Sequence, residues 1–233
     1  MRTHPALLSL LFAPTLVPLT IAAQSPAASQ SAVGTHVIFT FEHPQLQPAR
    51  YTFTIAVDGR GRFVSQPGTT NADDDILPTP IDRPVQLDAA LTADLFHYAR
   101  SHSYFATHCS NDHDKLAFTG NKTLSYSGPD GHGSCSFVWA TDPALQRLSD
   151  RLGAVAFTIQ IGQRLDVEVR HDRLGLDAEL ATLQDAVNDH RAGDLPNIAE
   201  ELQAIAGDED VMNRARKRAE ALLSSCESPQ KTN

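Results

Sequence analysis

Tyr51-Thr52-Phe53-Thr54-Ile55-Ala56-Val57, then Asp58-Gly59-Arg60-Gly61, then Arg62-Phe63-Val64-Ser65: this stretch decides the fold class. Apolar side chains alternate with small polar ones through the first segment, the period-two pattern of a strand with one buried face. Asp58-Gly59 supplies the positive φ that a tight hairpin needs, and Arg62-Phe63-Val64-Ser65 returns as the second arm.

Upstream, Val37-Ile38-Phe39-Thr40-Phe41 is rich in β-branched and aromatic residues and predicts another strand, with structure starting near His36. Residues 24–35 are small and polar and predict a disordered leader. Before them, Arg2 precedes an uncharged apolar block that contains Leu7, Leu8, Leu10, Leu11 and Phe12 and ends in Ala22-Ala23. That basic, apolar and small-residue order predicts a cleaved secretory signal over residues 1–23. Pro14 and Pro18 interrupt the block, whereas a spanning helix needs ~20 apolar residues. The expected compartment is therefore the periplasm or the medium, with no membrane span in the mature chain.

Downstream, residues 66–84 hold four prolines and the run Asp73-Asp74-Asp75, and predict a loop. Asp88 can cap a helix running to about Ser103, with Leu87, Leu91, Leu95, Tyr98 and His102 spaced as one face. Thr123-Leu124-Ser125-Tyr126-Ser127 and Ser134-Cys135-Ser136-Phe137-Val138-Trp139 flank Gly128-Pro129-Asp130-Gly131-His132-Gly133, a second hairpin with a glycine-rich connection. Asp142 and Pro143 then open a helix with Leu145, Leu148, Leu152, Val155 and Ile159 on one face, and Gly162 is expected to end it. Residues 163–170 fit a strand or a helix, and the pattern leaves both open. Three helices follow. The first is capped by Asp177, the second carries Leu195 to Ile205, and the third starts after Gly207 with Asp208, Glu209 and Asp210 at its positive end. The fold class is α+β: a small antiparallel sheet of hairpins with a packed helix, followed by a C-terminal helical bundle. The expected organisation is a signal (1–23), a leader (24–35), an α+β domain (36–161), a helical region (162–225) and a tail (226–233).

The chain has 233 residues and a formal charge of −9. Without residues 1–23, which hold Arg2 and no acid, it carries 18 basic and 28 acidic side chains, a net charge of −10. Such a chain repels nucleic acid and anionic surfaces as a whole, so no nucleic-acid partner is expected. Of the cysteines Cys109, Cys135 and Cys226, the first two flank one compact segment and are expected to form a disulfide. Closing that loop contributes roughly 3 kcal/mol in the chain-entropy view. Cys226 is left as the odd thiol.

The segments KTLSYSGPDGHGSCSF (residues 122–137), HDRLGLDAEL (171–180) and DEDVMNRARKRAEALL (208–223) resemble a group of secreted bacterial proteins, chiefly acidobacterial. The resemblance implies an exported protein and carries no assigned activity. The last segment also resembles a helical HEAT-type repeat, although a repeat array needs several stacked units.

The densest polar cluster is His102, His108, Cys109, Asp112, His113, Asp114, His132 and Cys135. His132-x-x-Cys135 has a spacing that zinc accepts, but an oxidised cysteine pair cannot ligate, so no metal is expected. The acids after Asn71 lack the alternating ligands and central glycine of a calcium loop. No Gly-x-Ser-x-Gly elbow or phosphate-binding glycine loop is present, so no cofactor is expected. His171-Asp172-Arg173 predicts an ion-paired turn, with Gly175 ending one element and Asp177 capping the next. The leading expectation is a non-enzymatic binding or structural module of the cell envelope, with an envelope protein as partner. The alternative is an extracytoplasmic hydrolase or metal-dependent enzyme that uses the His/Asp-rich region 102–135. A third reading is a redox or metal sensor built on Cys109, Cys135 and the histidines.

Overall fold

The computed structural model of the protein describes residues 34–68, 79–111 and 117–227. The expected signal, most of the leader and the Asp73-Asp74-Asp75 run lie outside the described residues. Strands β1 (His36–Glu42), β2 (Arg50–Ala56) and β3 (Arg60–Gln66) follow the sequence pattern closely. The β2–β3 connection is Val57-Asp58-Gly59. Gly59 takes the positive φ (79°), and its N–H donates to the Ala56 carbonyl at 2.9 Å.

β4 (Asp82–Gln86) falls where the proline-rich sequence predicted loop. It is an edge strand, in the order β4-β3-β2-β1-β5-β6, and an edge tolerates Pro84 because a missing N–H there need not interrupt a ladder on both sides. The second hairpin is tighter than expected. β5 (Asn121–Gly128) and β6 (Gly131–Phe137) leave only Pro129 and Asp130 in the turn. Gly131 and Gly133 therefore lie within β6, where a side chain at either would collide with Tyr104.

All pairings are antiparallel, and their registers align Phe63, Phe53, Phe39, Leu124 and Cys135 in one row across five strands. This face is the core side, and Phe39, Phe53, Phe63 and Leu124 are at most 1% exposed. Fully burying such side chains contributes about 1.5–3 kcal/mol each. Helix α1 (Ala89–Ser101) covers the face with Leu91, Leu95, Phe96 and Ala99, and helix α2 (Pro143–His171) adds Leu145, Leu148, Leu152, Val155 and Ile159.

Helix α2 does not end at Gly162. It continues to His171, so residues 163–170 are helical, and the expected boundary between the α+β and helical parts falls inside one helix. Gly162 is required by close approach instead, because a Cβ there would run into the Ile198 side chain. The second half of α2 turns Ile161 and Leu165 into a second core. That core also takes Leu176, Leu180 and Leu183 of α3 (Leu176–Asn188), Leu202 and Ile205 of α4 (Ala199–Gly207), and Ala215, Ala219 and Leu222 of α5 (Asn213–Glu227).

The capping expectations around these helices need correction. Gly175 precedes α3 as its N-cap residue and does not end α2; Asp177 sits in the first turn of α3. There it pairs with Arg214 at 2.6 Å and Arg218 at 3.0 Å. Asp208, Glu209 and Asp210 lie before α5, whose first turn has no acid; Asp208 and Asp210 pair with Arg173. The basic residues of α5 begin at its unfavourable end, where Asp177 offsets two of them. Cys226 lies in α5, not in a tail; its thiol faces the Leu222 carbonyl at 3.4 Å, and the residue packs on the second core. Among the described residues no helix is long and apolar enough to cross a membrane.

Candidate functional site

Asp88 caps α1 as expected, its Oδ1 accepting the Leu91 N–H at 2.7 Å. Its own backbone N–H donates to Oδ2 of Asp194 at 3.1 Å. Asp194 belongs to the connection after α3, in which both His190 (φ 58°) and Asp194 (φ 50°) are left-handed. Non-glycine residues in that region are uncommon and persist only where their surroundings hold them. Here the Gly193 N–H donates to Thr158 Oγ1 at 3.0 Å, Asn197 Nδ2 donates to the Asp194 carbonyl at 3.0 Å, and Ala192 and Leu195 are buried.

Arg151 of α2 spans the acids of α1, reaching Asp94 at 2.7 Å and Asp88 at 3.4 Å. Together these groups enclose a cavity of about 220 Å³ with apolar walls from Leu91, Ala154 and Val155 and polar groups from Asp88, Arg151, His190 and Asp194. Burial and then the nearby Asp88 charge push the Asp194 carboxyl up to about 7, against the opposing pull of the Asp88 N–H and Arg151.

A larger, open groove of about 1120 Å³ runs along another side of α1. Leu87, Thr92 and Phe96 are its buried floor, and Val57, Ala89 and Ala93 line it beside Asp58, Gln86, His97 and Arg100. Arg100 is held at one end by Asp130 (3.0 Å), which also accepts the Tyr126 hydroxyl at 2.6 Å. The hydrogen bonds from Tyr126 and Arg100 keep the Asp130 carboxyl below the usual range.

The described members of the His/Asp-rich region 102–135 are spread over several elements. Cys109 and Cys135 are joined in a disulfide, as expected. His132 points to the opposite face of β6 from Cys135, because residues three apart on a strand alternate sides. His108 is exposed on the segment before Cys109. His102 stacks on Tyr98 with ring centroids 3.9 Å apart, and its Nε2 lies 3.7 Å from Asp142 Oδ2. That oxygen accepts the Tyr98 hydroxyl at 2.8 Å. Burial and this bond push the Tyr98 phenol up. Asp112, His113 and Asp114 lie outside the described residues. Among the described residues no three His, Cys, Asp or Glu side chains are grouped to hold a metal ion.

Between His102 and Cys109 the chain makes a left-handed turn, with Ser103, Tyr104 and Phe105 at φ 52°, 57° and 67°. Left-handed helical backbone costs about 1–2 kcal/mol per residue. The turn is held by the buried Phe105 ring and by Tyr104 lying in the notch over Gly131 and Gly133.

Sequence reasoning found Asp88 as a cap but missed Asp194, His190 and Arg151. The available signal was Gly193-Asp194 before Leu195-Pro196: aspartate is among the few side chains that accept left-handed backbone. Arg151 reads in sequence only as a polar residue of α2. The chain matches no protein-family model, and no curated protein is similar to it.

Proposed function

We propose that this protein is an exported, non-enzymatic binding module of the bacterial envelope, and that it takes an extended segment of a partner protein in the groove along α1. The groove carries the reading. From Ala89 to Ser101, α1 runs ~18 Å at ~1.5 Å per residue, the length of about five or six extended residues. Its lining mixes apolar side chains with hydrogen-bonding groups, and Asp58 and Arg100 both line it with opposite charges. Such a surface suits a polypeptide better than a small substrate, which is usually gripped on most sides. The disulfide supports the compartment, since such bonds persist where thiols oxidise, as does the resemblance of residues 122–137 and 171–180 to secreted proteins.

The test is site-specific photocrosslinking in the periplasm of a bacterial host that carries the envelope proteins of the source cell. A photoreactive side chain at position 93 should give a discrete adduct with one envelope protein. Position 174, an exposed leucine away from the groove, should not. Equal labelling from both positions, or none from position 93, would sink the reading.

A further inference from the structure

We propose that the groove along α1 selects its extended segment by charge: a basic and an acidic side chain four positions apart, with an apolar side chain midway between them. This selectivity rests on the groove taking an extended polypeptide, and it names the sequence taken. Two adjacent rows of α1 line the groove: Thr92, Phe96 and Arg100, and beside them Ala89, Ala93 and His97. Each row repeats every four residues, which keeps it on one face of the helix. The middle of the groove, at the buried Phe96 and at Ala93, is apolar.

The two charges stand on either side of that middle. Asp58 is carried by the β2–β3 turn, which is fixed against the start of α1. There the Leu87 N–H donates to the Gly59 carbonyl at 2.9 Å, Gln86 Nε2 donates to the Asp58 carbonyl at 3.1 Å, and a Cβ on Gly59 would meet the Thr92 hydroxyl. Arg100 lies about two helical turns beyond Thr92, ~12 Å along the axis at ~1.5 Å per residue. In an extended chain, side chains on one face recur every ~6.6–6.8 Å. The first and fifth positions of such a segment therefore stand ~13 Å apart, with the third between them. The base meets Asp58, the third side chain lies over Phe96 and Ala93, and the acid meets Arg100.

Both charges already have partners, and neither pair closes the groove to a ligand. Asp58 pairs with Arg60 at 3.8 Å and Arg100 with Asp130 at 3.0 Å, and all four side chains are at least 38% exposed. Exposed pairs of this kind are weak, so a second opposite charge can join or replace the first. Asp130 takes the Nε of Arg100, and the guanidinium carries further N–H donors on its Nη atoms. His97 is the one other titratable side chain in the lining, and it lies between the two charges in the second row.

The test is selection of displayed random heptapeptides on the full chain with its disulfide intact, followed by binding of the synthetic winners to variants. Winners should carry the base and the acid four positions apart around an apolar residue. Asp58→Lys should bind them about fivefold more weakly, the scale of one exposed ion pair, and in its own selection should exchange the base for an acid. Arg100→Gln, at the other end, should relax the choice of acid and keep the base. A photoreactive side chain at position 93 separates two kinds of failure. Winners that crosslink from position 93 but lack the spacing, or keep it unchanged in both variants, would overturn the charge rule and leave the groove standing. Winners that do not crosslink there, or no winners at all, would overturn both.

Discussion

Arg83 on the edge strand and Glu201 on α4 stand 118 residues apart in sequence and are joined by an ion pair of 2.6 Å. Arg83 also donates to the Asn197 carbonyl at 2.7 Å. The pair ends the row of buried phenylalanines, since Arg83 lies opposite Phe63 in the register. It fastens the second core to the sheet edge that would otherwise offer unpaired backbone.

Both partners are largely buried, at 24% and 15% exposure, and Glu201 Oε2 is buried without a hydrogen bond. Removing the guanidinium alone leaves an uncompensated, partly buried carboxylate. Arg83→Met should therefore cost about 2–3 kcal/mol in urea unfolding. The double variant Arg83→Met, Glu201→Leu should recover most of that loss. A double variant as unstable as the single one would show that the stabilisation lies in packing and not in the pair.

The disulfide closes a loop with a sequence separation of 26 beside the left-handed turn. In the chain-entropy view such a closure contributes about 3.5 kcal/mol. Cys109→Ser with Cys135→Ser should lower stability by about that amount, and reductant should do the same to the wild type but not to the double variant. Chemical denaturation with and without reductant reads both.

Gly133 lies where a Cβ would press on the Tyr104 carbonyl and the Ala106 backbone. Backbone cannot rotate aside as a side chain can, so Gly133→Ala should cost about 1–3 kcal/mol, the range for overpacked sites. For a chain of this size that is roughly 2–10 °C in Tm. Gly207→Ala is the control, because nothing stands within 4 Å of its Cβ position, and it should change Tm little.

The strands with strong alternation, and helices whose apolar residues recur every three or four positions, were legible because one side chain after another repeats the same environment. β4 was hidden by Pro84, which is disfavoured in a central strand and harmless on an edge; nothing local says which strand is the edge. Gly162 looked like a helix end because glycine weakens helices by about 1 kcal/mol, while its cause, the approach of Ile198, lies 36 positions away. The charges of α5 misled in the same way: their partner, Asp177, sits on another helix. The pocket at Asp194 was illegible for the same reason, since it joins α1, α2 and the connection after α3, three stretches that meet only in the folded chain. Of the predicted site, the disulfide was recovered because its two cysteines flank one compact segment, from before β5 to within β6; the histidines were grouped by sequence and are separated by strand alternation and by helix ends.

Asp177 and Asp194 impose opposite slopes on stability against pH. Burial alone would raise the Asp177 carboxyl, but the hydrogen bonds and charges of Arg214 and Arg218 outweigh it and hold Asp177 below the usual aspartate value. A carboxyl lowered in the folded state contributes stability that is complete above the unfolded value and is lost as pH falls through the folded one. Asp194, raised in the folded state, contributes below the unfolded value and loses that contribution as pH rises to about 7. Wild-type unfolding free energy should therefore fall on the acid side of about pH 4 through Asp177, and decline again towards pH 7 through Asp194. Asp177→Asn should flatten the acid limb and leave the second decline intact, since it keeps the hydrogen-bonding shape but not the charge that Arg214 and Arg218 pair with. Asp194→Asn should do the reverse. Urea titrations at half-unit pH steps from 3 to 8 measure both limbs in one series, and an acid limb unchanged in Asp177→Asn would assign it to other carboxylates.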